Sequence, residues 1–286
     1  MKNLKTSGEC ILSVCAIGRG KPELPLSRNL ITAFFGGAYI GLGGLLAIKV
    51  AASMPLEYWG GLQKLVFGGV FPVGLLLVLV AGADLFTGNC MYMPAAVLHG
   101  KTGWRGLMRV WIISYGGNFV GGLVVAFFLG YSTGVMFDVG SDGFMPLAAY
   151  SVKLANDKCA LAFETAFLRG VGCNWLVCLA IYMALAAEDG VSKAILLWPP
   201  VTAFVALGFE HSIANMTFIP LGLLIGSSEI YINSSAQLPA LSADLYGLLV
   251  ANLIPVTLGN IVGGGLFVGM FYYKAAGLKP DVTAVG

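Results

Sequence analysis

Charge is what this sequence has least of. Among its 286 residues are 16 Lys or Arg and 14 Asp or Glu, so 10% are charged. A soluble domain carries about 25%. The formal net charge of +2 and the lack of any basic tract interleaved with aromatics exclude a nucleic-acid partner. Histidine is nearly absent, with two residues in the chain. The cysteines (Cys10, Cys15, Cys90, Cys159, Cys173 and Cys178) form no CxxC pair and have no histidine at a metal-like spacing. They read as packed thiols, and no metal or cofactor is expected. The first 28 residues hold a short apolar run without a small-residue cleavage site, so no cleavable signal peptide is expected.

What remains is apolar. The chain is 58% hydrophobic with a mean hydropathy of +0.85, the composition of an integral membrane protein. Forty glycines suit helices that pack backbone to backbone. A spanning helix needs about 20 apolar residues. Six candidates emerge, at about 29–52, 62–99, 104–131, 160–187, 192–227 and 243–273. The second and fifth are too long for one span. Each is read as a broken helix with a long half, a polar turn and a short half, and Pro94 and Pro220 are expected to start the short halves. An arm (residues 1–28) and a tail (274–286) flank the transmembrane domain (29–273).

Six spans put both termini on one side. Lys2, Lys5, Arg19, Lys21 and Arg28 of the arm fall there, with Lys101, Arg105, Arg109, Lys193, Lys274 and Lys279. The other side holds Lys49, Lys64, Lys153 and Lys158. Eleven cations against four put both termini in the cytoplasm, in a plasma or inner membrane.

The second and fifth segments also share a skeleton. "GADLFTGNCMYMP" (Gly82–Pro94) and "GFEHSIANMTFIP" (Gly208–Pro220) each carry Gly, an acid two positions on, then Asn and Pro. "AFFGG" (Ala33–Gly37) resembles "AFLRG" (Ala166–Gly170), and "GNFVGG" (Gly117–Gly122) resembles "GNIVGGG" (Gly259–Gly265), in the same order. Three spans followed by their copy must lie upside down to one another. This is an inverted 3+3 repeat, at about 29–131 and 160–273, and paired interruptions in such repeats point to a midplane site.

Broken helices survive in a bilayer only against protein or a water-filled cavity. Asp84 and Glu210 are expected to be structural, accepting hydrogen bonds from backbone amides freed at each break. Asn89 and Asn215 can satisfy donors and acceptors at a helix end. His211 is the only histidine within a span, since His99 falls at a loop. A lone histidine is commonly a satisfied core residue, but here it lies in the break with Asn215 one turn on, and an intramembrane ionisable group is functional by default. With Thr87 from the other break it would offer hydrogen bonds at a narrow midplane point. Lys158, before the fourth span, either snorkels to the interface or serves the path. Arg169, deeper in that span, is within reach of Glu164.

Enzyme signatures fail on context. "GYSTG" (Gly130–Gly134) matches GxSxG but follows a span rather than a strand. "GRGK" (Gly18–Lys21) lacks the spacing of a phosphate-binding loop. No enzyme activity and no ATP-driven pump are expected.

"VAGADLFTGN" (Val80–Asn89), "GVGCNWLVCLA" (Gly170–Ala180), "GFEHSIANM" and "NLIPVTLGNIVGGG" (Asn252–Gly265) together resemble the formate–nitrite transporter family over residues 30–273. The resemblance implies a homopentamer of six-helix, aquaporin-like protomers, each with its own pore. It also implies passive, pH-dependent passage of small monovalent anions or their conjugate acids, with formate favoured over nitrite, acetate, lactate or hydrosulfide. It places the central histidine on His211 with Thr87 and Asn215 beside it, and the vestibule lysine on Lys158. Apolar constrictions fall on Phe71, Leu75 and Phe86 on one side and Phe204 on the other. Between Lys158 and Phe163 the chain reads "CALA", where some relatives carry histidines. The competing expectation is an aquaporin-like channel for neutral solutes, but the paired NPA boxes are missing.

Overall fold

Residues 4–281 are described in a computed structural model; Lys2 of the arm and residues 282–286 of the tail lie outside them. The described residues are all-helical, without a strand. In chain order the helices longer than four residues are α1 (Ser7–Gly20), α2 (Leu26–Ala51), α3 (Gly61–Val80), α4 (Phe86–Leu98) and α5 (Trp104–Tyr131). There follow α6 (Pro146–Cys159), α7 (Phe163–Ala186), α8 (Gly190–Ala206), α9 (Ser212–Gly226) and α10 (Gly247–Ala275). Five of them, α2, α3, α5, α7 and α10, are long and apolar enough to cross a membrane, and α8 and α9 are shorter apolar helices.

Two of these helices stand outside the spans expected from sequence. The arm forms α1, which opens with a capping box: Glu9 N–H donates to Thr6 Oγ1, and Thr6 N–H donates to the Glu9 carboxylate. Its Cys10, Ile11, Val14 and Cys15 bury one face, with Cys15 Sγ 3.5 Å from the carbonyl of Ala95 on α4. The segment between the two halves forms α6, which packs on α9. Both are 14 residues long, too short for a hydropathy window sized to a span.

The long apolar runs 62–99 and 192–227 are each divided. Residues 81–85 separate α3 from α4, and residues 207–211 separate α8 from α9. Gly82 and Gly208 have φ of 75° and 73°, the left-handed conformation that glycine adopts freely. Beyond them, Ala83 N–H reaches Val78 O and Phe209 N–H reaches Phe204 O. Both helices thus end in the same Schellman closure.

Pro94 and Pro220 do not start the second helices. Those begin at Phe86 and Ser212, and each proline is the ninth residue of its helix. Buried packing tolerates a proline there, because neighbouring helices surround the backbone it loosens.

The helices meet backbone to backbone through glycine. α2 packs on α5 and α7 on α10. A Cβ on Gly37 would strike the backbone of Asn118, one on Gly121 the carbonyl of Phe34, and one on Gly259 the carbonyl of Phe167. These atoms cannot move aside without unwinding a helix. Gly37→Val is therefore expected to abolish a monodisperse fold or sharply lower its thermal transition in detergent. Gly69→Ala, where nothing lies within 4 Å, should leave that transition unchanged or higher.

Candidate transport path

The two non-helical turns are closed by the same hydrogen bonds. In the first, Asp84 N–H donates to Thr32 O on α2, and Phe86 N–H donates to Asn118 Oδ1 on α5 at 2.9 Å. Asn118 Nδ2 in turn donates to Ala33 O at 2.6 Å and Asp84 O at 2.9 Å. In the second, Glu210 N–H donates to Arg169 O on α7, and Ser212 N–H donates to Asn260 Oδ1 on α10 at 2.9 Å. Asn260 Nδ2 donates to Gly170 O at 2.8 Å and Glu210 O at 3.0 Å. One primary amide thus satisfies one backbone donor and two acceptors, which a carboxylate cannot do. The equivalent residues are Thr32 with Arg169 and Ala33 with Gly170. That is one helical turn away from the register in which "AFFGG" and "AFLRG" align.

The acids therefore do not take up the freed amides, contrary to expectation. Asp84 accepts from Lys21 Nζ and from Asn89 Nδ2 at 3.0 Å. Glu210 accepts from Lys158 Nζ at 2.9 and 3.0 Å, Asn215 Nδ2 at 2.7 Å and Asn252 Nδ2 at 3.4 Å. Each turn has its own lysine–carboxylate–asparagine cluster, largely buried. Lys21, Asn118, Asn260 and Asn252 were not singled out from sequence. The two central asparagines were visible in the repeated "GN" of α5 and α10, but their glycines drew the comparison. Lys21 carries no signal beyond lying in a cationic arm.

Thr87 and His211 meet. Thr87 Oγ1 lies 3.1 Å from His211 Nε2, and both residues are buried. His211 is the N-cap of α9, where its Nδ1 accepts from Ala214 N–H at 3.0 Å. A nitrogen accepting from an amide carries no proton, so the neutral ring holds its hydrogen on Nε2 and donates it to Thr87. Protonating Nδ1 would break the cap.

Two cavities flank this contact. One, of about 280 Å³, is lined by Lys158, Arg169, Glu210, His211, Asn215 and the rings of Phe71, Phe204 and Phe218. The other, of about 510 Å³, is lined by Lys21, Leu79, Leu85, Gly88, Tyr92 and Ile181. Phe71 and Phe204 meet edge-on with centroids 5.9 Å apart, and Phe204 stacks on His211 at 6.0 Å. Both rings belong to the Lys158 cavity rather than to opposite sides. Phe86 lines neither cavity; it packs edge-on against Trp111 and Tyr115 of α5, because the first residue of α4 points to that neighbour. Leu75 is buried and lines neither cavity. The apolar lining of the Lys21 cavity comes from residues such as Leu79 and Leu85 instead. Arg169 forms no ion pair with Glu164 among the described residues and faces the Lys158 cavity. His99 sits away from both cavities against Tyr273, with Nδ1 3.3 Å from the hydroxyl.

The family model described as Formate/nitrite transporter matches residues 8–274. The chain is 43% identical over 283 residues to a probable formate transporter of Methanothermobacter thermautotrophicus, covering 95% of this chain and 97% of that one. It is 34% identical over 275 residues to the nitrite transporter NirC of Escherichia coli (strain K12), covering 94% and 91%. A solved structure described as a pentameric formate channel with formate bound superposes with a TM-score of 0.73 at 33% identity, covering 87% of this chain and 97% of that chain. A structure described as an FNT family ion channel gives 0.77 at 30% identity, covering 94% and 98%.

Leaving a buried polar group unpaired costs about 1–3 kcal/mol. Asn118→Leu and Asn260→Leu each orphan one amide and two carbonyls. Each should lower the thermal transition far more than Ser114→Ala, which removes a hydroxyl bonded only to carbonyls of its own helix. Equal transitions across the three variants would refute the assignment of the asparagines as the closing groups.

Proposed function

The chain belongs to the formate/nitrite transporter family, and from that premise we propose a passive, pH-dependent channel through which a small monovalent anion crosses the bilayer as its conjugate acid. Formate is the favoured substrate, and nitrite, acetate, lactate and hydrosulfide share the chemistry. The protein is multi-pass, with apolar helices long enough to span. Its protomer has six spans in an inverted 3+3 repeat, where α3–α4 and α8–α9 each form one broken span. The matched hydrogen bonds around the two turns support that arrangement. The cationic bias of the loops supports cytoplasmic termini, which puts the Lys21 cavity inside and the Lys158 cavity outside. Likeness to a pentameric formate channel supports a homopentamer, and the two cavities within the protomer support a pore in each protomer.

The observation that carries the proposal is the buried His211–Thr87 hydrogen bond, with the rings of Phe71 and Phe204 in the cavity that His211 lines and Leu79 and Leu85 in the other. A bare anion at such a low-dielectric centre costs on the order of 10 kcal/mol. Protonating a carboxylate of pKa about 4 at pH 7 costs about 4 kcal/mol, so the neutral acid is the cheaper passenger. As the anion leaves the Lys158 vestibule for the apolar constriction, desolvation raises its pKa and it takes up a proton. Proton exchange with the medium and the vestibule supplies that proton, while His211 and Thr87 hydrogen-bond the passing acid. His211 is poorly suited to relay a proton, because its Nδ1 is committed to the helix cap. Asn215, which lines the Lys158 cavity, has an Oδ1 with no hydrogen-bond partner among the described residues. A neutral acid brings an O–H for such an acceptor, and an anion does not.

His211→Asn separates the two jobs of the ring, since asparagine caps a helix well but offers no donor at the Nε2 position. It should keep the wild-type thermal transition while formate uptake into proteoliposomes falls at least about tenfold, the equivalent of one good hydrogen bond of about 1.4 kcal/mol. His211→Phe should lose both. Wild-type uptake by His211→Asn would refute the role.

Uptake should also rise as the external medium is acidified, through the growing fraction of neutral acid. Uptake that stays flat between pH 7 and pH 5 would contradict the neutral route.

A further inference from the structure

The lysines nearest the centre are already neutralised. Lys158 Nζ lies 2.9 and 3.0 Å from the two oxygens of Glu210, and Lys21 Nζ is paired with Asp84. The field of an ion pair decays faster than that of a single charge, so neither lysine gathers anions from bulk water. The other charged residues lining the Lys158 cavity are Lys64, Asp157 and Arg169. Asp157 is taken by Lys153 at 2.5 Å. Lys64 and Arg169 have no carboxylate within ion-pair distance among the described residues. In the Lys21 cavity the one other charged residue is Lys193, which is likewise unpaired.

Lys64 and Lys193 hold equivalent positions. "GLQK" (Gly61–Lys64) opens α3 and "GVSK" (Gly190–Lys193) opens α8, so each lysine is the fourth residue of its helix. Both are exposed, and one lines each cavity. The first turn is where the helix dipole disfavours a cation. Neither a salt bridge nor helix stability accounts for a lysine placed there twice. Both placements suit a charge that must stay free at a mouth.

We infer that Lys64 and Arg169 at the outer mouth, and Lys193 at the inner mouth, are the charges that collect small monovalent anions. The buried pairs Lys158–Glu210 and Lys21–Asp84 act at short range on anions already delivered. This inference rests on the transport reading above and adds the residues that set entry. It predicts a dependence on ionic strength that a structural role would not produce.

The test measures initial formate uptake, below saturation, into proteoliposomes carrying wild type, Lys64→Gln/Arg169→Gln, Lys193→Gln or the charge-keeping Lys64→Arg/Arg169→Lys and Lys193→Arg. At an ionic strength of about 0.01 M, where the Debye length is about 30 Å, the neutral variants should be slower by about three- to tenfold. At about 1 M, where that length is about 3 Å, they should converge on wild type. The charge-keeping variants should follow wild type at both. Neutral variants with wild-type rates and wild-type salt dependence would overturn the inference and leave the transport reading standing. A wild type that moves neither formate nor nitrite would overturn both.

Discussion

A backbone amide in hydrocarbon has no water to bond, and this constraint shapes the molecule. Each interruption of a helix frees amides and carbonyls that must find partners within the protein. The chain meets the demand with one asparagine per interruption, Asn118 and Asn260, each supplied by the next long helix. For those side chains to reach, α5 must lie against α2 and α10 against α7 at backbone contact. Glycines at 37, 121 and 259 permit it. The closeness of the helices and the tolerance of the turns are thus one requirement. Together they fix where α4 and α9 begin, and therefore where Thr87 and His211 meet.

Charge is handled in the same economical way. Each turn buries one acid and neutralises it with a lysine from elsewhere in the chain, Lys21 from the arm and Lys158 from the end of α6. An unpaired buried carboxylate would be strongly destabilising, and a pair held by further asparagine hydrogen bonds is tolerable. The pairing also leaves the passage without net charge near its centre. Histidine is kept in one tautomer by its role as a cap, so it presents a donor rather than a positive charge. A path with no net charge and a hydrogen-bonding midpoint favours a small neutral acid over its anion.

Much of this was legible in the sequence. The all-helical membrane character followed from the scarcity of charge. His211 stood out as the one histidine within a span and Thr87 as the polar residue facing it from the other break, and the structure brings them within 3.1 Å. The rest was not legible for identifiable reasons. Pro94 and Pro220 misled because proline is tolerated inside a helix that neighbours surround. Asp84 and Glu210 looked like caps because sequence shows an acid beside a turn but not the lysine that reaches it from 63 or 52 residues away. Phe86 was placed at a constriction by position in a motif, while its side-chain direction is set by the rings of Trp111 and Tyr115. The short helices α1 and α6 escaped any window sized to a bilayer.

The central claim is that the passenger is uncharged at the midpoint, and membrane potential tests it most directly. Formate uptake into proteoliposomes can be followed while a potassium gradient with valinomycin sets the voltage. At fixed pH on both sides, the account predicts uptake that does not change as the voltage is moved by 100 mV in either direction. A bare anion crossing the same path would gain or lose about 2.3 kcal/mol over that range. Uptake that scaled with voltage to that extent would contradict the account.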